Sequence, residues 1–393
     1  MSKIFEEAVK KNMEETISWF KHLHENPELS FKEYETTKYI IENLKKLSNI
    51  EVLTPTETGC IAVLKGKEAG PVIGIRADID ALPVMEETQV DYKSKTDNVM
   101  HACGHDVHTS TLLAAATILN DYADQMKGTI KFIFQPAEEL PPGGAIGLVE
   151  SGALDDCDYI FGAHLMPNIP TGKVAFKAGA IFGASDKFFL TIQGKGGHAA
   201  VPNLTVDPVI VAAEIILALQ TIVSRKTHPF YNPVISTTVV HTPIGAENVI
   251  PDTIELRASI RNNDVQVREE TAKWVKQIID GICMAHGATA DLDYRFGYAP
   301  VINDEQAYQL SVAAARTFMP NDDVLILEDP IQAGEDFGAY SKVAKTSYFL
   351  YGGANPEKET NVSPHNPKYK ADTDAMYYAI MMFCSLAEEI LMK

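Results

Sequence analysis

The chain reads as an α/β protein interrupted by a smaller α+β domain. Three observations predict this. Apolar strand-like runs that end in polar residues alternate with helical patterns through residue 179. From Phe188 to Tyr294 the order changes to β-α-β-β-α-β, a self-contained split βαβ unit. From Asp304 the first rhythm returns. A length of 393 residues also exceeds one ordinary core. The simplest topology is one α/β domain made of residues 1–182 and 294–393, with residues 183–293 inserted.

Ile4, Phe5, Val9, Met13, Ile17 and Phe20 fall at helical spacing and predict an amphipathic helix over residues 3–22. Pro27 closes it, because the residue before a proline disfavours helix. A second helix is expected over 34–47, then strands over 52–54, 60–64 and 72–78. The third strand is apolar until Arg76 and Asp78. That suits a buried central strand delivering polar groups at its C-terminal end, where ligands sit in open α/β sheets. Residues 109–119 read as a buried helix, 129–134 as a strand running into Gln135-Pro-Ala-Glu-Glu139, and 143–154 as a short helix. The strand 159–164 ends in His164. The insert holds strands at 188–193, 234–240, 253–261 and 288–294 and helices at 206–223 and 265–286, with Pro208 in the first turn of the former. A helix over 305–319, a strand over 347–351 and a helix over 374–392 complete the chain.

A net charge of −19 argues against a nucleic-acid partner and against a polybasic membrane contact. It leaves anionic substrates open, since bound metals reverse a local field. The five cysteines are odd in number and widely spaced, so a reducing, cytoplasmic setting is expected rather than a disulfide framework. Residues 1–11 are charged throughout and carry no apolar signal core. The longest uncharged apolar run, 375–387, is too short to span a bilayer. The glycosylation triplets at Asn203 and Asn361 have no meaning in a cytoplasmic protein.

The chemistry concentrates in His101-Ala-Cys-Gly-His-Asp-Val-His108. A thiolate and an imidazole one glycine apart suit a borderline-soft divalent cation, and Gly104 permits the tight turn between them. A solvated His-rich turn is the plain alternative. Glu138 and Glu139 lie in a loop stiffened by Pro136 and by Pro141-Pro-Gly-Gly144. Two neighbouring carboxylates beside a cation can divide roles, one binding the metal and the other acting as general base. His164 ends its strand, and His365 lies between two prolines. Cys103, His105, Glu139, His164 and His365 exceed what one catalytic zinc takes, so two metals fit better.

The sequence resembles the dinuclear-metal amidohydrolases of the aminoacylase and glutamate-carboxypeptidase type, in the branch with hippurate hydrolase, the auxin-conjugate hydrolases and N-acetyldiaminopimelate deacetylase. The segments that carry the resemblance are His24-Glu-Asn-Pro-Glu, Gly74-Ile-Arg-Ala-Asp-Ile-Asp-Ala-Leu-Pro83, residues 100–108, Phe134-Gln-Pro-Ala-Glu-Glu139, Gly162-Ala-His164, Gly196-Gly-His-Ala-Ala200, Asn248-Val-Ile-Pro-Asp252, Glu335-Asp-Phe337 and Pro364-His365. The resemblance implies a zinc-peptidase-like α/β catalytic domain with an inserted ferredoxin-like α+β dimerisation domain. It implies two divalent ions, zinc or manganese, on Cys103, His105, Glu139, His164 and His365, with Cys103 bridging. Glu138 would be the general base, Asp78 a carboxylate orienting the site, and His198 the oxyanion donor. Asn248 and Arg261 would face the substrate's carboxylate end. The implied substrate is a small N-acyl-amino acid or short peptide, and the implied assembly a homodimer or a dimer-based tetramer in which His198 serves the partner's site. The Leu-Pro-Pro-Gly-Gly after Glu139 departs from the branch, which more often shows glycine there. The rivals are a dipeptidase or carboxypeptidase of the same family and a non-catalytic metal-binding paralogue, which would be expected to have lost Glu138.

Overall fold

The computed structural model describes residues 4–243 and 245–393, so the expected helix start at Lys3 lies outside them. Contacts divide the chain into two units. One holds the residues up to Ile181 together with Ile302–Asp329 and Asp336–Lys393; the other holds Phe182–Val301 and Pro330–Glu335.

The first unit opens with α1 (Glu6–Glu25), α2 (Tyr34–Leu44), β1 (Ile50–Leu53), β2 (Cys60–Lys65), β3 (Glu68–Asp78), α3 (His105–Asn120), β4 (Lys127–Gln135), α4 (Gly144–Glu150), β5 (Tyr159–Pro170) and β6 (Val174–Phe176). The chain leaves this unit through β7 (Gly179–Phe182). The second unit contains β8 (Asp186–Gln193), β9 (Gly197–His198), α5 (Pro208–Thr221), β10 (Val234–His241), β11 (Val249–Ile250), β12 (Thr253–Arg261), α6 (Val265–His286) and β13 (Thr289–Arg295). The return passes through β14 (Val301–Asn303) into α7 (Glu305–Phe318), β15 (Val324–Ile326), β16 (Lys345–Ala354) and α8 (Ala375–Leu391).

The first unit is built on an eight-stranded mixed sheet of order β1-β2-β4-β3-β5-β16-β6-β15. Its centre, β4-β3-β5-β16, is parallel. Parallel strands buried on both faces read as continuous apolar runs, which is the pattern of β3 and β4. α3 is apolar on every side through Leu112-Leu-Ala-Ala-Ala116 and is buried between α1, α8 and the sheet. Because parallel strands end at a common edge, Asp78, Gln135 and the turn after β3 converge there.

Three expectations change. α3 starts at His105, so this histidine sits on the first helical turn rather than in a loop. His164 is not a strand end, because pairing with β16 continues past it through Leu165↔Tyr351 and Met166↔Gly352. The domain boundary lies beyond 293, because residues 296–298 are tied to the inserted unit. Arg268 Nη2 donates to the Gly297 carbonyl at 2.7 Å, the Gly297 N–H donates to Asp186 Oδ1 at 3.0 Å, and the Arg268 guanidinium lies over Phe296.

The second unit is a four-stranded antiparallel sheet of order β10-β12-β8-β13, the ferredoxin-like arrangement. Phe188, Leu190 and Ile192 of β8 pack against Val211, Ile215 and Leu219 of α5 and Val275 and Ile279 of α6. A short pair, β9 with β11, stands apart from this sheet. β10 is an edge strand. The helix Pro208–Lys226 is long and apolar enough by composition to cross a membrane, and only a third of it is buried.

Asp186 holds this unit together electrostatically. It accepts from Arg268 Nε and Nη2 at 2.9 and 2.6 Å, with both groups buried. Asp186→Ala would leave a buried guanidinium without its counter-ion, and should destabilise the unit by about 3–5 kcal/mol. Denaturant unfolding followed by Trp274 on α6, in a Trp19→Phe background, reads this directly; a loss under about 1 kcal/mol would contradict it.

Candidate metal centre

Cys103 and His105 flank Gly104, which caps α3 with φ +93°. A Cβ there would lie 2.8 Å from the Tyr369 hydroxyl, so glycine is needed both for its backbone angle and for space. Cys103 Sγ lies 3.4 Å from His164 Nε2. His164 Nδ1–H donates to the Leu165 carbonyl at 2.7 Å, which leaves Nε2 as the lone-pair nitrogen turned towards the sulfur. His105 Nδ1 lies 3.0 Å from the Asp80 carbonyl and 3.2 Å from Asp80 Oδ1, so this nitrogen carries the donated proton. His105 Nε2 points inward, is buried, and has no hydrogen-bond partner among the described residues.

The ligand atoms of Cys103, His105 and His164 all lie within 4.8 Å of one another, and so do those of Cys103, Glu139 and His365. The two triads share one sulfur. His365 Nε2 lies 3.1 Å from Glu139 Oε1. His365 holds φ +64°, and its N–H donates to the Ala102 carbonyl at 2.7 Å. That bond joins the loop carrying Cys103 to the loop carrying His365. A sulfur, three imidazoles and a carboxylate form a donor set suited to borderline-soft divalent cations, and the orphaned His105 Nε2 is the atom such a cation would satisfy.

Glu138 is buried, and its carboxylate is grouped with His105 and Glu139 within 4.8 Å. The turn before it is strained, with Ala137 at φ +53°. It is held by the buried Glu33, which accepts from the Ala137 N–H at 2.8 Å and from the Thr58 hydroxyl at 2.8 Å.

Asp78 stands behind the triads. Its Oδ2 is 3.6 Å from His105 Nε2, and its oxygens are occupied by His108 Nδ1 at 2.6 Å and Arg76 Nη1 at 2.7 Å. The carboxylate that orients His105 is therefore Asp80. It also accepts from the Ser30 hydroxyl and from the Glu139 N–H, and so sets two ligands at once. Sequence reasoning passed over Asp80, although the alternation Asp78-Ile79-Asp80 places both carboxylates on one side of an extended segment. His101 joins neither triad; burial pushes it down to about 4.

In the second unit His198 is exposed on β9, directly opposite Val249 of β11, and the Ala199 N–H donates to the Asn248 carbonyl. The structure thus brings His198 and Asn248 together. Arg261 lies at the other end of β12, a strand that begins two residues after β11.

The electrostatics favour protons where a cation would sit. Burial and then the Glu139, Glu138 and Asp78 carboxylates hold the Cys103 thiol well above its usual value. Burial opposes charge on His105, but Asp78 and Asp80 carry it up to about 10. Burial, with His108 beside it, pushes His164 down to about 3.

Two triads sharing one sulfur, with the buried Glu138 carboxylate alongside, form a candidate metallohydrolase centre. The chain belongs to peptidase family M20/M25/M40, whose model matches residues 74–389. N-acetylcysteine deacetylase of Bacillus subtilis is 38% identical over 377 residues, covering 95% of this chain and 96% of that protein. The N-acyl-L-amino acid amidohydrolase of Geobacillus stearothermophilus is 41% identical over 306 residues, covering 76% and 82%. Among solved structures, the Bacillus subtilis YXEP protein, described as a dinuclear metal binding peptidase from the M20 family, matches with a TM-score of 0.82 at 34% identity, covering 96% of this chain and 98% of that one.

Loading the centre at neutral pH should release at least two protons, one from Cys103 and one from His105, since both are held protonated without a cation, and His365, raised by its hydrogen bond to Glu139, adds to them where it is protonated. Affinity should therefore rise with pH, by up to about a hundredfold per unit while both protons remain. Calorimetric titration with Zn²⁺ in buffers of different ionisation enthalpy counts the protons. An affinity that is flat between roughly pH 6 and 8 would refute this assignment.

Proposed function

We propose that this protein is a metal-dependent amidohydrolase that cleaves N-acyl-amino acids to a carboxylic acid and a free amino acid. The observation that carries the reading is the sulfur of Cys103 shared by two triads, with Glu138 beside them. Cys103, His105 and His164 would hold one divalent ion and Cys103, Glu139 and His365 the other, as zinc or manganese. Such ions, when bound, polarise the amide carbonyl and acidify water. Glu138 takes the proton from the attacking water and returns it to the leaving amine.

His198 is the oxyanion donor. Its Nδ1 accepts from the Ala200 N–H at 3.0 Å, so the proton resides on the exposed Nε2, ready to donate. Asn248, beside it, and Arg261 bind the carboxylate end of the substrate. The assembly is a homodimer or a dimer of dimers, built on the inserted unit. α5 exposes Ile210 and Leu217, and the β10 edge exposes Val234 and Val240. Pairing two copies through that edge and helix would cover both. This accounts for the exposed apolar helix without a membrane, and the net charge of −19 gives no support to a nucleic-acid partner. The setting is cytoplasmic, in keeping with five buried free thiols.

A dipeptidase or carboxypeptidase is the second reading, favoured by the peptidase description of the YXEP protein. Turnover of N-acetyl, N-benzoyl and indole-acetyl amino acids against unblocked dipeptides, with Zn²⁺, Mn²⁺ or Co²⁺, separates the two. Acyl-amino acids should be cleaved, and activity confined to dipeptides would replace the first reading by the second. Glu138→Gln should keep both ions and lose at least about 10²-fold in kcat. Loss of an ion in that variant, with retention in Glu139→Gln, would reverse the two roles.

His198 acting in the partner's site gives a further expectation. A heterodimer of Glu138→Ala and His198→Ala chains has one of its sites fully equipped if His198 works across the two-fold, and none if it works within its own chain. Random re-assortment makes roughly half of the dimers mixed, hence about one quarter of wild-type activity. Confirmed heterodimers without recovered activity would exclude the crossed arrangement.

A further inference from the structure

His108 is buried in the same cluster as Asp78 and His105, yet neither of its nitrogens is available to a cation. The Leu165 N–H donates to Nε2 at 3.0 Å, so Nε2 carries the lone pair and the proton is on Nδ1. Nδ1–H donates to Asp78 Oδ1 at 2.6 Å. Asp78 cannot swing away, because Arg76 Nη1 grips Oδ2 at 2.7 Å. Arg76 is fixed in turn by Gln135 at 2.8 Å and by Asp336 at 3.0 Å.

The far side of His108 reaches the other ligand strand. Leu165 follows His164 on β5, and its backbone is used twice. Its N–H meets His108, and its carbonyl accepts from His164 Nδ1. His105 and His108 stand three residues apart on the first turn of α3, on one helix face. One imidazole thus joins the carboxylate 3.6 Å behind His105 Nε2 to the peptide that orients His164.

We propose that His108 is a positioning residue that sets the cation position formed by Cys103, His105 and His164, and leaves the position of Glu139 and His365 untouched. The proposal rests on the two-ion reading above. His108 touches neither ion nor substrate. It keeps Asp78 out of the coordination sphere as a fixed charge and holds the His164 backbone in register with it. Partners of this kind, one bond removed from a ligand, are worth about 10–100-fold in metal affinity.

The test is stepwise Co²⁺ loading of the whole protein, read by equilibrium dialysis and by thiolate-to-cobalt absorption. Wild type should take two ions; fewer would overturn the two-ion reading itself and this proposal with it. His108→Phe keeps a ring of similar size and loses both bonds. It should weaken one of the two ions by about 10–100-fold, change the absorption band and leave the other ion as in wild type. In a Glu139→Gln background, where the retained ion sits with His105 and His164, adding His108→Phe should weaken that remaining ion. His108→Asn, whose amide can replace the Nδ1–H bond to Asp78, should restore part of the loss. Two wild-type affinities and an unchanged band in a folded His108→Phe would overturn the proposal. If His108→Phe does not fold, His108→Asn and His108→Gln each keep one bond, and wild-type affinity in both overturns it equally.

Discussion

A guanidinium at 1% exposure is the fixed point of the catalytic unit. Arg76 carries five donors and no acceptor, so burying it demands carboxylates and carbonyls on several sides. It finds them on three strands and in a turn: Asp78 and Gln135 at the ends of β3 and β4, the Tyr348 hydroxyl within β16, and Asp336. Asp336 also accepts from Gln135 and from the Ala145 N–H at the start of α4. One buried cation therefore locks three parallel strands and a helix start at a single edge of the sheet. Two carboxylates against one guanidinium leave a negative excess beside His105. Burial opposes charge on His105, but Asp78 of this network, with Asp80 and Glu139, raises it to about 10, and the same carboxylates make a divalent cation welcome there.

Much of this was legible in the residues, and what was not has a common cause. Ligands announce themselves through local devices. Gly104 lets Cys103 and His105 share a turn, two prolines bracket His365, and a proline-rich loop carries Glu139. The groups that aim the ligands announce nothing, because each acts on a backbone or a ring far away in sequence. Asp80 acts across 25 residues on His105, His108 across 57 on Leu165, and Glu33 across 104 on Ala137. Periodicity sees a strand but not its register, so His164 read as a strand end when β16 in fact carries the pairing past it. The inserted unit was legible as β-α-β-β-α-β. Its far boundary was not, because Phe296 and Gly297 are recruited by Arg268 and Asp186, an ion pair separated by 82 residues, and Tyr298 by Ser185.

Adjacent carboxylates would ordinarily repel and share one role. Here the backbone gives them different neighbours, although their oxygens lie within 4.8 Å of each other. The Glu139 N–H is tied to Asp80, and its carboxylate faces His365 and Cys103. Glu138, one residue earlier, turns towards His105 from a strained position that Glu33 over-determines through Ala137. Strain stored in this way is stable only because the buried Glu33 is itself satisfied by Thr58 and by the Phe31 N–H. Main-chain geometry, rather than any difference between two identical side chains, thus gives Glu138 and Glu139 different surroundings.

The ligand loops are also joined to each other by protein bonds. Ala102 accepts from the His365 N–H, Tyr369 packs with Met100 and Ala102 and closes over Gly104, and Asp80 spans His105 and Glu139. Side chains held by such bonds lose little freedom when they coordinate, so binding energy goes into charge rather than into ordering. The carboxylates around the centre keep two of its ligand atoms protonated: the Cys103 thiol is held so by burial and by three carboxylates, and the His105 imidazole holds a proton that a ligand must give up. The helix N-terminus at Cys103 offers only a partial positive charge against these. A divalent cation replaces both protons at once. The same fields that make the cation-free centre reluctant to ionise therefore make it selective for ions that bind sulfur and nitrogen strongly enough to displace them.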